Sequence, residues 1–307
     1  MTGQPEVKIG TRGSPLALVQ ARAAAARLEA AHPGLKTELV VIKTTGDKIT
    51  DRPLAALGGK GLFTKEIEEA LADSRIDLAV HSMKDMPTVL PDGLVIDCLL
   101  EREDPRDALI ARGAARLAEL PRGATVGSAS LRRQAQVLNL RPDLKLVSLR
   151  GNVETRLRKL DSGEVDATLL AVAGLKRLGL LDRASGIIPA DEMLPAVAQG
   201  AIGLERRADD RRLATLLAPL NHAATSVCVA AERGLLAALD GSCRTPIAAL
   251  ATLDGDLFLR GEVLAPDGSE RIATSRRGSP DDAERMGRDA GEELKRRAGP
   301  KFLAALG

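Results

Sequence analysis

Apolar positions along this chain switch between short β-branched runs and a helical spacing, and the switches come twice in the same order. "VKIGTRGSPLALVQA" followed by "HPGLKTELVVI" lays out a strand, a glycine, a hydroxyl residue, a serine opening a helix, a proline-containing turn and a second strand. "ATVGSASLRRQAQ" followed by "RPDLKLVSL" repeats that order. "ALADSRIDLAV" and "KLDSGEVDATLL" then match as a helix end, a turn and a third strand with Asp77 or Asp166 at its start. The pattern predicts one βαβαβ unit used twice.

The two copies differ by an insertion. Pro33 and Pro142 are offset by 109, Asp77 and Asp166 by 89, so the first copy holds 20 extra residues between these markers. The surplus falls in "TTGDKITDRPLAALGGKGLF", whose glycines, lysines and proline suit a loop and not a core. Two readings stay open here: a lid over a ligand-facing edge, or a tolerated surface loop.

After about residue 218 the rhythm changes. "ATSVCVAAERGLLAALD" has the spacing of a packed helix, "IAALATLDGDLFLRGEVL" and "ERIATSRRG" read as strands joined at Asp-Gly hairpin signals, and "DDAERMGRDAGEELKRRAG" closes as an amphipathic helix. A small three-stranded antiparallel sheet packed by helices is expected.

Bulk composition narrows the class. A chain of 307 residues fits two or three domains, and 44% hydrophobic with 28% charged residues is a globular balance. No apolar run reaches the roughly 18 residues of a membrane span, and "MTGQPEVKIG" lacks a signal-peptide layout, so a cytoplasmic protein without a membrane partner is expected. A net charge of +2, with no Trp or Tyr and three Phe, gives no general pull toward nucleic acid. Three cysteines in such a chain argue against a disulfide framework. Cys98 in "LVIDCLL" and Cys228 in the packed helix read as core; Cys243 in "LDGSCRTP" sits in a turn with no apolar frame.

Parallel α/β units bind ligands beyond the carboxyl ends of their strands, where helix starts offer N–H groups to anions. Thr11, Arg12, Gly13 and Ser14 bridge strand and helix in the first copy, with Ser14 as N-cap and Pro15 at the first helical position. Ser128 to Ser130 hold that place in the second copy, with Arg132 and Arg133 in the first turn, where cations oppose the helix dipole and so point to a negative ligand. Arg150 follows another strand end, Asn152 caps the helix carrying Arg156, and Ser82, Lys84 and Asp85 follow the third strand of copy one. The expected cleft is rich in Arg and Lys, which grip carboxylates and phosphates, and holds one carboxylate, Asp85, suited to stabilising positive charge. A Lys-Asp pair in a loop also has a plain reading as a surface ion pair.

"TRGSPLAL", "GGKGLF", "VHSMKDMP", "EREDPRDA", "GSASLRRQ", "LRGNVETRL", "AVAGLKRLGL", "LPAVAQGAIGLE" and "DGSCRTPIA" occur in order from about Val7 to the last helix, and together they resemble the porphobilinogen deaminase (hydroxymethylbilane synthase) family. The resemblance implies two α/β domains like type II periplasmic binding proteins around a cleft, plus a small α+β C-terminal domain. It divides the chain into residues 1–100 with 200–218, residues 101–199, and residues 219–307. It implies a monomeric transferase that joins four porphobilinogen molecules head to tail on a covalent dipyrromethane cofactor, with loss of ammonia. Cys243 takes the thioether position and Asp85 the catalytic one. Lys84, Ser130, Arg132, Arg133 and Arg156 hold the cofactor; Arg12, Ser14, Arg150, Arg156, Arg177 and Lys60 hold substrate. The insertion with Lys60 becomes a loop over the site. His81 is given a supporting or structural role, having no obvious Cys or Asp triad partner in the matched motifs. Gly13 stands where many relatives have Gln, and Ala129 where Ser or Thr is frequent, which removes one hydroxyl donor.

Two other classes remain for comparison. A solute-binding or effector-sensing protein of the same bilobal type would share the duplicated units but not the turn cysteine; a nucleic-acid-binding protein is disfavoured by the charge and the few aromatics.

Overall fold

The computed structural model describes residues 6–48, 64–239 and 245–304. The chain divides into two compact units, residues 1–102 with 201–226, and residues 103–200 with 227–307.

The first unit runs β1 (Glu6–Arg12), α1 (Pro15–Ala31), β2 (Lys36–Ile42), α2 (Thr45–Lys48), α3 (Lys65–Ala72), β3 (Leu78–Ser82) and β4 (Leu94–Leu99). The second continues with β5 (Asp107–Ala111), β6 (Thr125–Gly127), α4 (Leu131–Leu140), β7 (Lys145–Val147), α5 (Val153–Asp161), β8 (Ala167–Ala171), α6 (Val172–Arg177) and β9 (Gly186–Ile187). The chain then returns to the first unit as β10 (Ile202–Arg207) and α7 (Arg211–Leu217). It closes with α8 (Ala223–Ala238), β11 (Ile247–Asp254), β12 (Asp256–Leu264), β13 (Arg271–Gly278) and α9 (Ala283–Ala304).

The two large sheets have the same plan. Their orders are β2-β1-β3-β10-β4 and β7-β6-β8-β5-β9. β1 and β6 each lie parallel to both neighbours, while β10 and β5 run antiparallel to the third strand of their own sheet. The duplication extends to single bonds. Asp77 takes the backbone N–H of Lys8 on its side chain at 2.9 Å, and Asp166 takes that of Thr125 at 2.7 Å. These aspartates lock the start of the third strand to the start of the first in each copy. In the first sheet the antiparallel strand β10 comes from a distant stretch of chain, after β5 to β9, whereas β5 directly precedes β6 of its own sheet.

Periodicity explains the layers. In α1, Gln20, Ala21, Ala24, Ala25 and Leu28 are buried, a stripe of mostly small side chains that lets the helix lie close on β1 and β3. Ile67, Ala70 and Leu71 of α3 cover the opposite face with Ala79.

The last sheet, β11-β12-β13, is antiparallel, and its hairpins turn at Gly255 and Gly268, whose φ of 68° and 74° lie in the left-handed region that glycine adopts at little cost. Leu194 packs with Ala248 and Leu250 of β11. The carboxylate of Glu232 on α8, fully buried, accepts the N–H of Ala198 at 2.6 Å and of Ala251 at 2.8 Å. It holds Ala198, a non-glycine residue at φ 58°, to the edge of this sheet. Cys98 and Cys228 are both buried, and burial together with the Asp97 charge pushes the Cys98 thiol up to about 12, keeping it protonated.

Gly287 on α9 meets the backbone of α8 so closely that a Cβ there would lie 1.9 Å from the carbonyl oxygen of Ala231. Gly287→Ala is therefore expected to cost about 1–3 kcal/mol by overpacking. A urea midpoint equal to that of the parent would contradict the close crossing.

Candidate active site

Both large sheets carry polar and charged groups at the edge where their parallel strands end. In the first unit β1 delivers Arg12, and Ser14 caps α1 by accepting the N–H of Ala17 at 3.3 Å. β3 delivers Ser82 and then a short 3-10 turn, Met83–Asp85. That turn is pinned from below. The N–H of Met83 donates to Ala201 O at 3.1 Å, and its side chain lies against Gly203 of β10, where a Cβ would come within 2.1 Å of the sulfur. Burying Met83 turns Asp85 outward, so Asp85 is exposed and Lys84 half-buried. The Gln20 amide and Ser82 hydroxyl, 3.0 Å apart, tie α1 to the end of β3. Arg12, Gln20, Thr64, His81, Ser82 and Asp85 line a small recess of about 30 Å³, the room of about one water molecule.

The matching edge of the second unit is more cationic. Ser130 caps α4, accepting the N–H of Arg133 at 3.4 Å. Arg150 follows the strand β7, and Asn152 caps α5, accepting the N–H of Thr155 at 2.8 Å. Arg156 donates its Nε to Gly151 O at 2.8 Å, and Arg177 at the end of α6 donates to Gly200 O at 2.6 Å.

Arg132 and Arg133 depart from the expectation of side chains facing a ligand alone. Both are buried, and each donates at 2.7 Å to a different oxygen of Asp107, the first residue of β5. Arg132 also donates to Leu194 O at 2.7 Å and Arg133 to Leu169 O at 3.1 Å. The negative group that meets these two first-turn cations is thus the protein's own carboxylate. Burial alone would raise the Asp107 carboxyl, but the charges and hydrogen bonds of the two arginines outweigh it and hold it far below the usual range. Asp107 was not singled out from the sequence because it is distant in the chain from the arginines; its place inside the family-matching "EREDPRDA" motif was the available signal.

His81 has a partner that the sequence reading did not name: its Nε2 lies 2.8 Å from Oε2 of Glu205 on β10, both groups buried. Cys243 and Lys60 lie outside the described residues.

The structure offers a direct test of fit to an acidic ligand. The Nε atoms of Arg132 and Arg133 and Nη1 of Arg150 are buried donors with no hydrogen-bond partner among the described residues. A buried, charged N–H left unmatched is costly, and a carboxylate-bearing group supplies what it lacks. A dipyrromethane with acetate and propionate substituents fits that donor set. No cluster of three side chains able to hold a metal occurs among the described residues.

Fold and edge chemistry thus define an α/β protein whose strand-end edges carry groups suited to acidic small molecules. Comparison with known proteins gives the family. "Porphobilinogen deaminase, dipyromethane cofactor binding domain" matches residues 7–215, and "Porphobilinogen deaminase, C-terminal domain" matches residues 226–296. The porphobilinogen deaminase of Paracoccus denitrificans is 59% identical, covering 99% of each chain. The chloroplastic one of Oryza sativa subsp. japonica is 57% identical over 98% of this chain and 86% of its own. Among solved structures, the methionine binding protein MetQ is similar at a TM-score of 0.46, with 16% identity over 69% of this chain and 88% of that one. The chain belongs to the porphobilinogen deaminase family, and with it to the enzymes of tetrapyrrole biosynthesis that carry a dipyrromethane cofactor.

Asp107→Asn removes one charge from a buried network and leaves two guanidinium groups facing each other, a loss of about 3–5 kcal/mol. Because the folded Asp107 value lies below the unfolded one, its contribution is complete above about pH 3.9 and is lost only on acidification below that. Denaturant melts at neutral pH and at about pH 3 should show the gap between parent and variant narrowing in acid; a constant gap would contradict the assignment.

Proposed function

We propose that this chain joins four porphobilinogen molecules head to tail on a dipyrromethane held by Cys243, releasing ammonia at each condensation and finally hydroxymethylbilane by hydrolysis. The observation that carries the reading is one exposed carboxylate, Asp85, on a turn pinned by Met83, while the strand-end edges of both sheets present cations.

The bound dipyrromethane supplies the acceptor ring for the first condensation. The residues of the chain do the rest. Arg132, Arg133, Ser130, Lys84 and Arg156 hold the acidic substituents of the cofactor, with the unmatched Nε atoms as the seats. Arg12, Ser14, Arg150, Arg156, Arg177 and Lys60 hold those of the substrate. Two of these, Arg156 and Arg177, are steadied by backbone carbonyls, so their guanidinium planes are set before a ligand arrives. Asp85, exposed and acceptor-only when ionised, stabilises the positive charge that develops as the C–N bond breaks. Cys243 supplies a soft nucleophile for a thioether.

In this reading residues 1–100 with 200–218 form one domain, 101–199 a second, and 219–307 a third that bears Cys243. The three-stranded sheet and α9 support the third, although its contacts place it with the second in one compact unit. The working form is a cytoplasmic monomer acting on a small molecule, without nucleic-acid or membrane partners; a net charge of +2 and the lack of any single described helix long and apolar enough to cross a membrane support this.

Cys243→Ala is expected to abolish covalent attachment, and pyrrole retained on the denatured variant would contradict it. Asp85→Asn is expected to keep the cofactor yet lower ammonia release at least about 100-fold, the scale of one lost electrostatic stabiliser. A loaded Asp85→Asn enzyme with near-parental release would remove Asp85 from its role.

A further inference from the structure

The His81–Glu205 pair has a cost that packing does not explain. Glu205 is fully buried, and among the described residues His81 is its single hydrogen-bond partner, at Oε2, while its other oxygen, Oε1, has none. Two apolar side chains would fill this interior at lower cost than a carboxylate so incompletely matched. The pair is also placed for chemistry. Glu205 lies opposite Ala79 and Gly203 opposite His81, which puts both side chains on the sheet face covered by α3, and His81 forms part of the wall of the recess that Asp85 lines. The charged and titratable groups around the ring are Glu205 from β10, Glu68 from α3 and, on the recess wall, Arg12 and Asp85.

With Nε2–H donated to Glu205, the Nδ1 of a neutral imidazole is an acceptor. Each condensation has a proton to place. One C–C bond forms, the C–N bond of the incoming ammonium form breaks with its electron pair leaving on nitrogen, and a ring C–H bond breaks with its pair returning to the ring. Resting on the function proposed above, we infer that His81, oriented by Glu205, is the proton acceptor of this recess. Nδ1 takes the ring proton, the pair holds it as imidazolium and carboxylate, and the departing ammonia carries it away as ammonium. The ring of His81 is thereby returned to its starting form for the next condensation.

The chain has three histidines, so imidazole carbon–proton NMR of the full, cofactor-loaded protein reads His81 directly, assigned by the signal lost in His81→Asn. The condensation rate should fall in acid with the same midpoint as His81. Glu205→Gln removes the anionic partner, and both midpoints should move to lower pH together by at least about one unit, a tenfold change in proton affinity. Should Glu205→Gln fail to fold, the parent protein decides by whether its two midpoints coincide. A His81 titration that shifts while the rate profile stays, or a His81→Asn enzyme with parental condensation, would overturn the inference. Loading is read separately from the mass of the denatured parent: an unloaded, inactive parent would sink the underlying function, whereas a loaded and active one that ignores the His81 midpoint would sink the His81 assignment alone.

Discussion

One buried carboxylate organises the cationic edge of the second unit. Asp107 accepts Arg132, Arg133 and Gln199 within 2.8 Å and has no solvent exposure. Without it, two adjacent guanidinium groups would repel each other in a low-dielectric interior at the very turn where the helix dipole already opposes them. With it, each arginine is held by a carboxylate on one side and a backbone carbonyl on the other, leaving the Nε edge unmatched. The same contacts reach further, because Leu194, whose carbonyl receives Arg132 and Gln136, packs on β11 of the C-terminal sheet. Glu232 secures the neighbouring stretch at Ala198. The strand β11, which follows Cys243 in the chain, is thus tied to the arginine pair through a few bonds inside one compact unit.

The first unit solves the opposite problem with the same sheet plan. There the carboxylate proposed to act, Asp85, is exposed, and the fold holds it outward. Met83 does this by burial against Gly203, and Ser82 by its bond to Gln20. Duplicated architecture therefore yields two different electrostatic edges: a carboxylate on a rigid turn in one copy, and arginines around an internal counter-charge in the other. Joining pyrroles that bear carboxylates, through a step that develops positive charge, calls for both.

Much of this was legible from residue pattern. The two βαβαβ copies, the Ser14, Ser130 and Asn152 caps and the Asp-Gly hairpins are local signals, and each appears where the spacing puts it. The pairings across the chain were not legible. Glu205 is 124 residues from His81, and Asp107 is 25 and 26 residues from the arginines it holds, so only strand order brings them together. The return of β10 to the first sheet, and the pairing of β5 with β8 across β6 and β7 in the chain, hide these partners from any local window. Ligand-facing roles inferred from helix position alone were incomplete for the same reason, since a first-turn arginine answers to whichever carboxylate the sheet delivers.

The central claim is that this fold carries a growing, covalently held pyrrole chain on Cys243. Intact-mass spectrometry of the denatured protein, before and after brief exposure to porphobilinogen and with the modified peptide mapped, tests it most directly. The account predicts excess mass of two pyrrole units on the Cys243 peptide and then a ladder of single-pyrrole additions. A chain that stays at its unmodified mass after prolonged exposure, or that carries pyrroles on another residue, would contradict it.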